Sequence, residues 1–493
     1  MRRTTRYLVN STLMASAVWL GGCFLGSDDG PSSDQKKQSA EQAGKASGNL
    51  QDAVARMQGN QYEYGKEDLT TLKAARDQYA EAARLNPGNS QAQMGLALTN
   101  ILYAAQDPRL ADVLNRTIEG RSPFSPALTD DAVALRPAVL AKVSAASEWP
   151  EFHEIQDSIE KVLLPALEDA LARIRIAYDD PAFSMTLTLD GSTRELDHVE
   201  AGILLAGVQA LHGLVTLWLS YDLDIDYNGS YEWIEALEDL GDVDEFSQLT
   251  DAQREALRKG TELLAPGAPF LAVRPAWKDR LSKVDDEISS ALEILRESLG
   301  SLAKETDAQD DDLIHLCGAF EEGFCLPPSG YQEAKDGIDS ARKYMKQPYE
   351  FRLEDIDTTI KVDFTAYFRV QDYKKLMPYY GFYDPAEWSD EKPALYFTDK
   401  NGNITGNIMT LKDIADAAEA NGTPAAQVVD QFRAVIHLQD PTLQGFLPGA
   451  TEAGIWNLLR KQAEFEDEGS PIALRKDAVS TLRPDFALRL IGK

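Results

Sequence analysis

Positive charge, cysteine and histidine are all scarce in this chain of 493 residues. Lysine and arginine number 49 against 80 aspartates and glutamates, which gives a net charge of −31, and there are 3 cysteines and 5 histidines. Affinity for nucleic acid depends on lysines and arginines that release counterions from phosphates, so this balance excludes non-specific nucleic-acid binding. It also argues against a basic patch that docks on anionic lipid. We therefore expect no nucleic-acid partner.

Recognisable catalytic motifs are also missing. The histidines form no His-Glu-x-x-His pair, and the chain has neither a Gly-x-Ser-x-Gly elbow nor a phosphate loop ending in Gly-Lys-Ser/Thr. Pairs of carboxylates are frequent in so acidic a chain, and they identify no active site without geometry. The sequence predicts a noncatalytic protein, with an unrecognised hydrolase as the alternative that rests on the carboxylates alone.

The N-terminal residues have the pattern of a targeting signal. Arginines at positions 2, 3 and 6 precede residues 13–20 (LMASAVWL), which are too few to span a bilayer and fit the apolar part of a signal peptide. The stretch ends in LGGC at Cys23. This resembles the lipobox of bacterial lipoproteins, which implies a signal peptide at residues 1–22 and lipidation of Cys23. In that family an Asp after the cysteine retains the protein in the inner membrane. Phe24 stands there instead, which implies the outer membrane.

Residues 23–49 are polar and rich in glycine and serine, which predicts a flexible tether between the lipid and the folded body. An oxidising periplasm would favour a disulfide between Cys317 and Cys325, with two unpaired thiols as the alternative. Only His315 lies close to them in sequence, and zinc needs three or four ligands, so we expect no zinc site there.

At 43% hydrophobic residues the chain can bury a sizeable core, and its length allows two to four domains. We expect a mainly helical domain over residues 50–347. Four residues resemble the second helix of a tetratricopeptide repeat in their spacing: Ala75, Tyr79, Ala82 and Pro87. Leu96-Ala97 fall where the next repeat would begin. The resemblance implies stacked helical hairpins with a concave, protein-binding surface. It covers about one and a half repeats, so a plain helical hairpin stays open.

Apolar periodicity predicts further helices at 151–178, 198–221 and 277–305, and Asp197 is placed to cap the second of these. Residues 183–196 alternate around Asp190-Gly191 and predict a small hairpin.

The last part of the chain, residues 348–493, predicts a small α+β region. Residues 358–370 alternate like a strand, and residues 394–408 predict a hairpin that turns at Asn401-Gly402. Further helices are expected at three places, namely 411–420, 424–437 and 451–465.

Residues 224–235 (DIDYNGSYEWIE) resemble an EF-hand calcium loop. Gly229 stands at position six, where the turn needs positive φ. Six residues stand at ligand positions, the last of them bidentate: Asp224, Asp226, Asn228, Ser230, Glu232 and Glu235. The resemblance implies one calcium ion as the cofactor. Tyr231 departs from the small aliphatic residue at position eight and no second loop matches, which implies a single, weak, structural site. An acidic helix cap is the alternative.

Residues 377–383 (MPYYGFY) place three tyrosines and a phenylalanine in a predicted loop. Exposed aromatic rings can stack on sugars or contact a partner, although packing in a core is the commoner reason for such a cluster.

Together these features predict a lipid-anchored, calcium-binding, noncatalytic scaffold or protein-binding lipoprotein of the bacterial cell envelope. It would have an envelope protein as its partner and face either the periplasm or the cell surface. The alternative is a ligand-binding lipoprotein that serves uptake of a glycan or small solute, which the aromatic segment motivates.

Overall fold

A computed structural model describes residues 30–59, 69–111, 152–189, 192–225, 249–304, 312, 314–316, 325–326, 328–353, 356–389, 392, 395–407 and 422–469. These residues are mainly helical, with a few small antiparallel sheets, which confirms the predicted fold class at this level. The helices are α1 Ser33–Gly59, α2 Thr70–Leu85, α3 Ser90–Ala104, α4 Phe152–Ser158, α5 Leu164–Tyr178, α6 His198–Leu219, α7 Asp251–Leu264, α8 Lys278–Leu281, α9 Val284–Leu302, α10 Pro328–Tyr344, α11 Ala425–Val435 and α12 Glu452–Gly469. The strands are β1 Ser184–Leu189, β2 Ser192–Asp197, β3 His315–Leu316, β4 Cys325–Leu326, β5 Tyr349–Leu353, β6 Thr358–Val362, β7 Tyr380–Phe382, β8 Leu395–Thr398 and β9 Ile404–Asn407.

The chain divides into two compact units that are each discontinuous in sequence. Unit 1 combines residues 1–135, 148–220 and 279–343, and unit 2 combines residues 136–147, 221–278 and 344–493. The predicted division instead placed everything from 50 to 347 in one body. The structure therefore moves the segment that begins the predicted calcium loop into the unit formed by the C-terminal part.

Unit 1 is a succession of helices in which α1 packs on α2, α2 on α3, α3 on α5, α5 on α6 and α6 on α9. A four-residue connection joins α2 to α3, and Asn89 starts α3 by accepting a hydrogen bond from the amide of Ala92 at 3.1 Å. The ring of Tyr79 is buried against Gly95, where a Cβ would lie 2.2 Å from the ring carbon Cζ. Only a glycine allows α3 to approach this ring so closely.

The predicted tether is wrong from residue 33 onward, because residues 33–49 belong to α1. Ser32 and Gln35 form a capping box: each side chain accepts a hydrogen bond from the other residue's backbone amide. Ala43, Ala46 and Leu50 then lie buried along one face of the helix. The average composition of this segment is polar, but its few apolar residues are small and recur at helical spacing, so they form one buried face.

The predicted helix 151–178 contains a π-helical turn at Ile159–Leu163, between α4 and α5. Pro165 lies two residues after this turn and has no amide hydrogen to donate to it. The wider turn accommodates the proline, so the helix continues past it with a local irregularity.

Helix α6 begins as predicted, because Asp197 and Glu200 form a capping box at its N-terminus. Among the described residues, α6 is the one helix long and apolar enough to cross a membrane, with mean hydropathy 1.7 in its most apolar stretch, half of which is buried in the protein. It packs against α5 and α9 and places Leu205 and Val208 in the core. The predicted helix 277–305 is interrupted, because a 3₁₀ turn at Pro275–Trp277 and the short α8 precede α9.

The strands form small sheets in both units. In unit 1, β1 and β2 form the predicted antiparallel pair, and β3 and β4 form a two-residue parallel pair. In unit 2, β5 pairs with β6, and β7, β8 and β9 form a three-stranded antiparallel sheet. The hairpin turn at Asn401-Gly402 is confirmed, with φ +82° at Gly402. The predicted strand 358–370 ends at Val362, because Asp363 caps a 3₁₀ helix, Phe364–Arg369. The predicted helix 411–420 lies outside the described residues.

Candidate calcium site

The start of the predicted calcium loop is held in unit 2 by a ladder of three backbone segments. The amide of Asp222 donates to the carbonyl of Ala272 at 3.0 Å, and the amide of Leu271 donates to the carbonyl of Asp222 at 2.7 Å. The middle segment in turn pairs with a third, because Tyr373 donates to the carbonyl of Leu271 at 3.0 Å. We call residues 221–224, 268–273 and 371–374 the loop anchor. Its backbone hydrogen bonds fix the position of the chain up to residue 224.

Lys374 is the buried charge of the loop anchor, with its side chain 3% exposed. Its ammonium donates to the carbonyl of Ala268 at 2.8 Å and to the carbonyl of Phe270, and lies 3.1 Å from Oδ1 of Asp372. A buried ammonium is tolerated only when its donors are satisfied, and here two carbonyls and a carboxylate satisfy them. Lys374 therefore ties segment 268–273 to segment 371–374 through its side chain.

Tyr221 connects the first segment of the loop anchor, residues 221–224, to the backbone of Val370. It is 3% exposed, and its hydroxyl donates to the carbonyl of Val370 at 2.7 Å. Its ring lies 4.7 Å from that of Tyr373, centroid to centroid. Burial raises the pKa of the Tyr221 hydroxyl to about 12, so the phenol stays protonated and keeps donating at neutral pH.

Backbone strain is stored in the same segment. Leu271 has φ +61°, in the left-handed region that a side chain other than glycine's rarely adopts. The hydrogen bonds on either side hold it there, since its amide and its carbonyl both pair within the loop anchor. Such strain persists only where surrounding contacts over-determine the conformation, as these do.

Asp224, the first predicted calcium ligand, is half-buried at the end of the anchored segment. Its amide donates to Oδ1 of Asp222 at 3.1 Å, an Asx-type turn that sets the direction of the chain into the loop. The other five predicted ligands lie outside the described residues: Asp226, Asn228, Ser230, Glu232 and Glu235. Among the described residues, no three His, Cys, Asp or Glu side chains converge as a metal site.

The remaining predicted modification sites fall mostly beyond the described part of the chain. Cys23 and Cys317 lie outside it. The backbone of Cys325 pairs with that of His315 in the β3–β4 pair, and its side chain is outside the described residues. The disulfide and the lipid anchor stay predictions.

The aromatic segment 377–383 is not a loop, because Tyr380–Phe382 form strand β7. Gly381 lies under the ring of Tyr396, and the hydroxyl of Tyr380 donates to the carbonyl of Leu264. These rings are half-buried and contact one another, with Tyr380 and Phe382 centroids 5.4 Å apart. The packing interpretation fits this arrangement better than a row of free stacking platforms.

Unit 1 contains an apolar groove that the sequence patterns did not single out. It lies between α6, α9 and α10, has a volume of about 470 Å³, and all of its lining side chains are aliphatic or small. Ile203, Leu292, Leu295, Leu299, Ile314 and Ile338 are among them. The described residues that line this groove can contact apolar groups, and none of them is an acid, base or nucleophile.

Glu200 connects the cap of α6 to the edge of this groove. Its Oε1 accepts from the amide of Ile314 at 3.2 Å, and its Oε2 accepts from the amide of Asp197 at 3.0 Å. Burial, together with the neighbouring Asp197 carboxyl, raises the pKa of Glu200 well above the ordinary glutamate value.

Neither the buried position of Lys374 nor the groove can be recognised from the sequence, and the physical reason is the same for both. Lys374 stands in an ordinary polar run, and nothing local indicates that two carbonyls a hundred residues away surround it. The groove is likewise formed by three helices that meet only in the fold. No family of known proteins, no curated protein and no solved structure matches this chain.

Proposed function

We propose that the protein is a lipid-anchored, calcium-binding, noncatalytic scaffold of the bacterial cell envelope that binds a partner protein at the outer membrane. The observation that carries the scaffold role is the succession of packed helices in unit 1 with its open apolar groove. Helical grooves lined by aliphatic side chains bind the apolar face of a partner helix, with anchors at helical spacing. The experiment is crosslinking of the protein in intact cells, followed by capture of the envelope protein attached near α10.

The tetratricopeptide-like type is part of this proposal. Ala75, Tyr79 and Ala82 are all buried at the contacts of α2, as the small and aromatic positions of that repeat would be. The close approach of Gly95 to Tyr79 supports the same packing between consecutive helices.

Calcium binding is supported by the anchored position of Asp224 at the start of a sequence that resembles an EF-hand loop. Glu235→Gln removes the charge of the proposed bidentate ligand, and Asp399→Asn changes an acid in the hairpin turn that lacks the loop pattern. We expect millimolar calcium to raise the melting temperature of the wild type and of Asp399→Asn, and to raise that of Glu235→Gln much less. Equal shifts in all three would contradict the assignment.

The lipid anchor has an independent test. Cys23→Ser removes the only thiol in the segment that resembles a lipobox. The wild type should fractionate with the outer membrane, and its mature N-terminal peptide should carry the mass of acyl chains. The variant should be released from the membrane. Retention of the variant in the membrane fraction would argue for another means of attachment.

The alternative function is binding of a glycan or small solute for an uptake system. The half-buried aromatic rings in and beside β7 and β8 support this alternative, although they pack against each other. A thermal-shift screen with glycans and apolar solutes discriminates between the two. Stabilisation by one ligand class would favour the solute role, and no stabilisation together with a crosslinked partner would favour the scaffold.

A further inference from the structure

Helix α6 turns its polar side chains toward the protein. Nε2 of Gln209 donates to the carbonyl of Glu287 at 3.2 Å, and Nδ1 of His212 lies 2.7 Å from Oε2 of the same residue. Thr216, one turn later, is 1% exposed. A helix at a water-exposed surface ordinarily has the opposite arrangement, with its polar residues on the side that faces the solvent.

The side of α6 that faces outward is apolar. Gly207, Leu211, Leu214 and Trp218 follow one another at intervals of four, three and four residues, so they lie along one side of the helix. We call these four residues and Ala210 the outer face of α6. Gly207 and Leu214 are exposed, Leu214 by 52%, and the other three are half-buried. From position 201 to 219 the helix contains no Asp, Glu, Lys or Arg.

The neighbouring helix α9 shows the usual arrangement. Its exposed residues are Asp286, Ser290 and Glu297, all of them polar or charged. The reversal is therefore a property of α6 and not of unit 1 as a whole. Exposed apolar side chains that are contiguous on a surface indicate a contact with another molecule or with a membrane.

A lipid surface fits the reversed arrangement. Where a helix contacts lipid, its apolar side chains face the hydrocarbon and its polar side chains face the protein interior. Half of the most apolar stretch of α6 is buried in the protein, so α6 would lie along a bilayer instead of crossing it. Trp218 suits the boundary between headgroups and acyl chains, because its indole is apolar and carries one N–H donor.

The start of α1 brings unit 1 close to the proposed lipid anchor. Helix α1 begins at Ser33, so nine residues, 24–32, separate it from Cys23. A fully extended chain of this length reaches at most about 35 Å. Helices α1 and α6 belong to the same unit, so a bilayer that holds the acyl chains of Cys23 lies within a short distance of the unit that carries the outer face.

We propose that the outer face of α6 rests on a bilayer of zwitterionic lipid and so orients the lipid-anchored protein. This inference rests on the proposed lipid anchor and adds the surface that meets the lipid. The net charge of −31 favours zwitterionic headgroups, because anionic ones repel an acidic body. The face orients the protein and does not hold it, since even a single myristoyl chain gives only marginal binding. Release of Cys23→Ser from the membrane is therefore expected here too.

The test uses the lipidated full chain in phosphatidylcholine vesicles whose acyl chains carry a photoactivatable diazirine. After illumination and proteolysis, mass spectrometry measures the labelling of residues 198–219 and of residues 395–407. The second peptide is the control, because it carries Ile404, an apolar side chain that is 56% exposed. We expect several-fold more label on α6 than on the control peptide.

Leu214→Glu and Ile404→Glu form a matched pair, because each places a carboxylate at an exposed apolar position. A charge is costly in the hydrocarbon, so Leu214→Glu should lower the labelling of α6 several-fold, whereas Ile404→Glu should not change it. If Leu214→Glu does not fold, Gly207→Glu replaces it, since no atom lies within 4 Å of the place its Cβ would take. Anionic phosphatidylglycerol in the vesicles should reduce the labelling of α6, and salt should restore it.

The outcomes separate this inference from the lipid anchor. If the mature N-terminal peptide carries no acyl chains, the anchor is wrong and the inference falls with it. If Cys23 is acylated but α6 and the control peptide are labelled equally, only the orientation by α6 is overturned. Unchanged labelling in Leu214→Glu would also overturn it. If Leu214→Glu instead converts a dimer into a monomer in light scattering, a second copy covers the face. Stronger labelling in anionic vesicles would contradict the preference for zwitterionic lipid.

Discussion

Unit 1 and unit 2 are stabilised in different ways. Among the described residues, the largest side chains that are fully buried all lie in unit 1, with Tyr79, Met94 and Leu167 as examples. Every described residue with positive φ, whether glycine or not, lies in unit 2. Unit 1 is thus a packed helical core, whereas unit 2 combines smaller apolar clusters, such as Val428, Phe432 and Trp456, with specific backbone conformations held by polar contacts.

This difference decides what a local sequence pattern can reveal. A helix that buries one face must repeat its apolar residues at helical spacing, so unit 1 is visible as periodicity. In unit 2, side chains such as Lys374 and Tyr380 pair with distant backbone carbonyls, and the partners share no pattern in the sequence. Mutations should therefore act through lost volume in unit 1 and through lost polar contacts or strain in unit 2.

The largest effect is expected when volume is removed from unit 1. Tyr79→Ala leaves a cavity between α2 and α3 and should lower the free energy of unfolding by about 3–5 kcal/mol. Phe364→Ala in unit 2 removes a ring that is only half-buried among Phe351, Tyr344 and Phe446, and should lower it by about 1–2 kcal/mol. Urea titrations followed by far-ultraviolet circular dichroism measure both. If both variants lose the same free energy of unfolding, the two units do not differ in how much they depend on packing.

The next effect is steric and confined to one helix contact. Gly95→Ala places a methyl group into the ring of Tyr79 and should destabilise the protein by about 1–3 kcal/mol. Gly48→Ala in α1 is the matched control, because no atom lies within 4 Å of the place its Cβ would take. Since alanine favours a helix interior, this control should stabilise by about 0.5–1 kcal/mol. Thermal unfolding gives both signs, and a stable Gly95→Ala would mean that α3 does not press on Tyr79.

Much of unit 1 could be predicted from the sequence, and its exceptions have physical causes. Asp197 and the apolar repeat after it locate α6, and Pro165 marks the irregularity before α5. Helix α1 was missed over residues 33–49 because its buried face there consists of the small residues Ser39, Ala43 and Ala46, which the polar average composition of the segment conceals. The capping box of Ser32 and Gln35 was the signal that would have revealed it.

Unit 2 was predictable only where the chain turns back on itself directly. Asn401-Gly402 indicates its hairpin, because glycine readily adopts the positive φ that the turn has at Gly402, although the connection spans residues 399–403. The assignment of residues 221–278 to unit 2 could not be foreseen, since it depends on Asp222 pairing with a segment fifty residues later. For the candidate calcium site, the sequence supplied Asp224, whereas the loop anchor and Lys374 became visible only in the fold.

Unit 1 also holds a buried acid, which gives its stability a pH dependence. Burial and the adjacent Asp197 raise the pKa of Glu200 to about 9, against an ordinary value near 4.3. Between these values the folded state keeps a proton that the unfolded state has lost. This contribution to stability is therefore present in full below about pH 4 and declines as the pH rises toward 9.

Glu200→Gln tests this, because glutamine keeps the shape of the side chain and one of its two acceptor oxygens but does not titrate. The decline in the free energy of unfolding between pH 5 and pH 9 should be smaller in the variant by an amount on the order of 1–2 kcal/mol. Urea titrations at several pH values measure it. Parallel pH profiles for the wild type and the variant would show that Glu200 titrates in the folded state as it does in the unfolded one.

The smallest effect isolates backbone strain in unit 2 from packing. Gly402 has φ +82°, and no atom lies within 4 Å of the position that an added methyl group would take, so Gly402→Ala adds conformational strain without a clash and should cost about 1 kcal/mol. Gly406→Ala on β9 reverses the situation: its φ is not positive, but its Cβ would lie 2.8 Å from Cβ of Val435. Asparagine tolerates the left-handed region better than alanine does, so Gly402→Asn should recover part of the loss, whereas Gly406→Asn should be worse than Gly406→Ala. Melting temperatures of the four variants distinguish backbone strain at Gly402 from a steric clash at Gly406. If asparagine does not recover stability at Gly402, then the positive φ is not what makes alanine unfavourable in this turn. That result would contradict the view that backbone conformation contributes more to the stability of unit 2 than to that of unit 1.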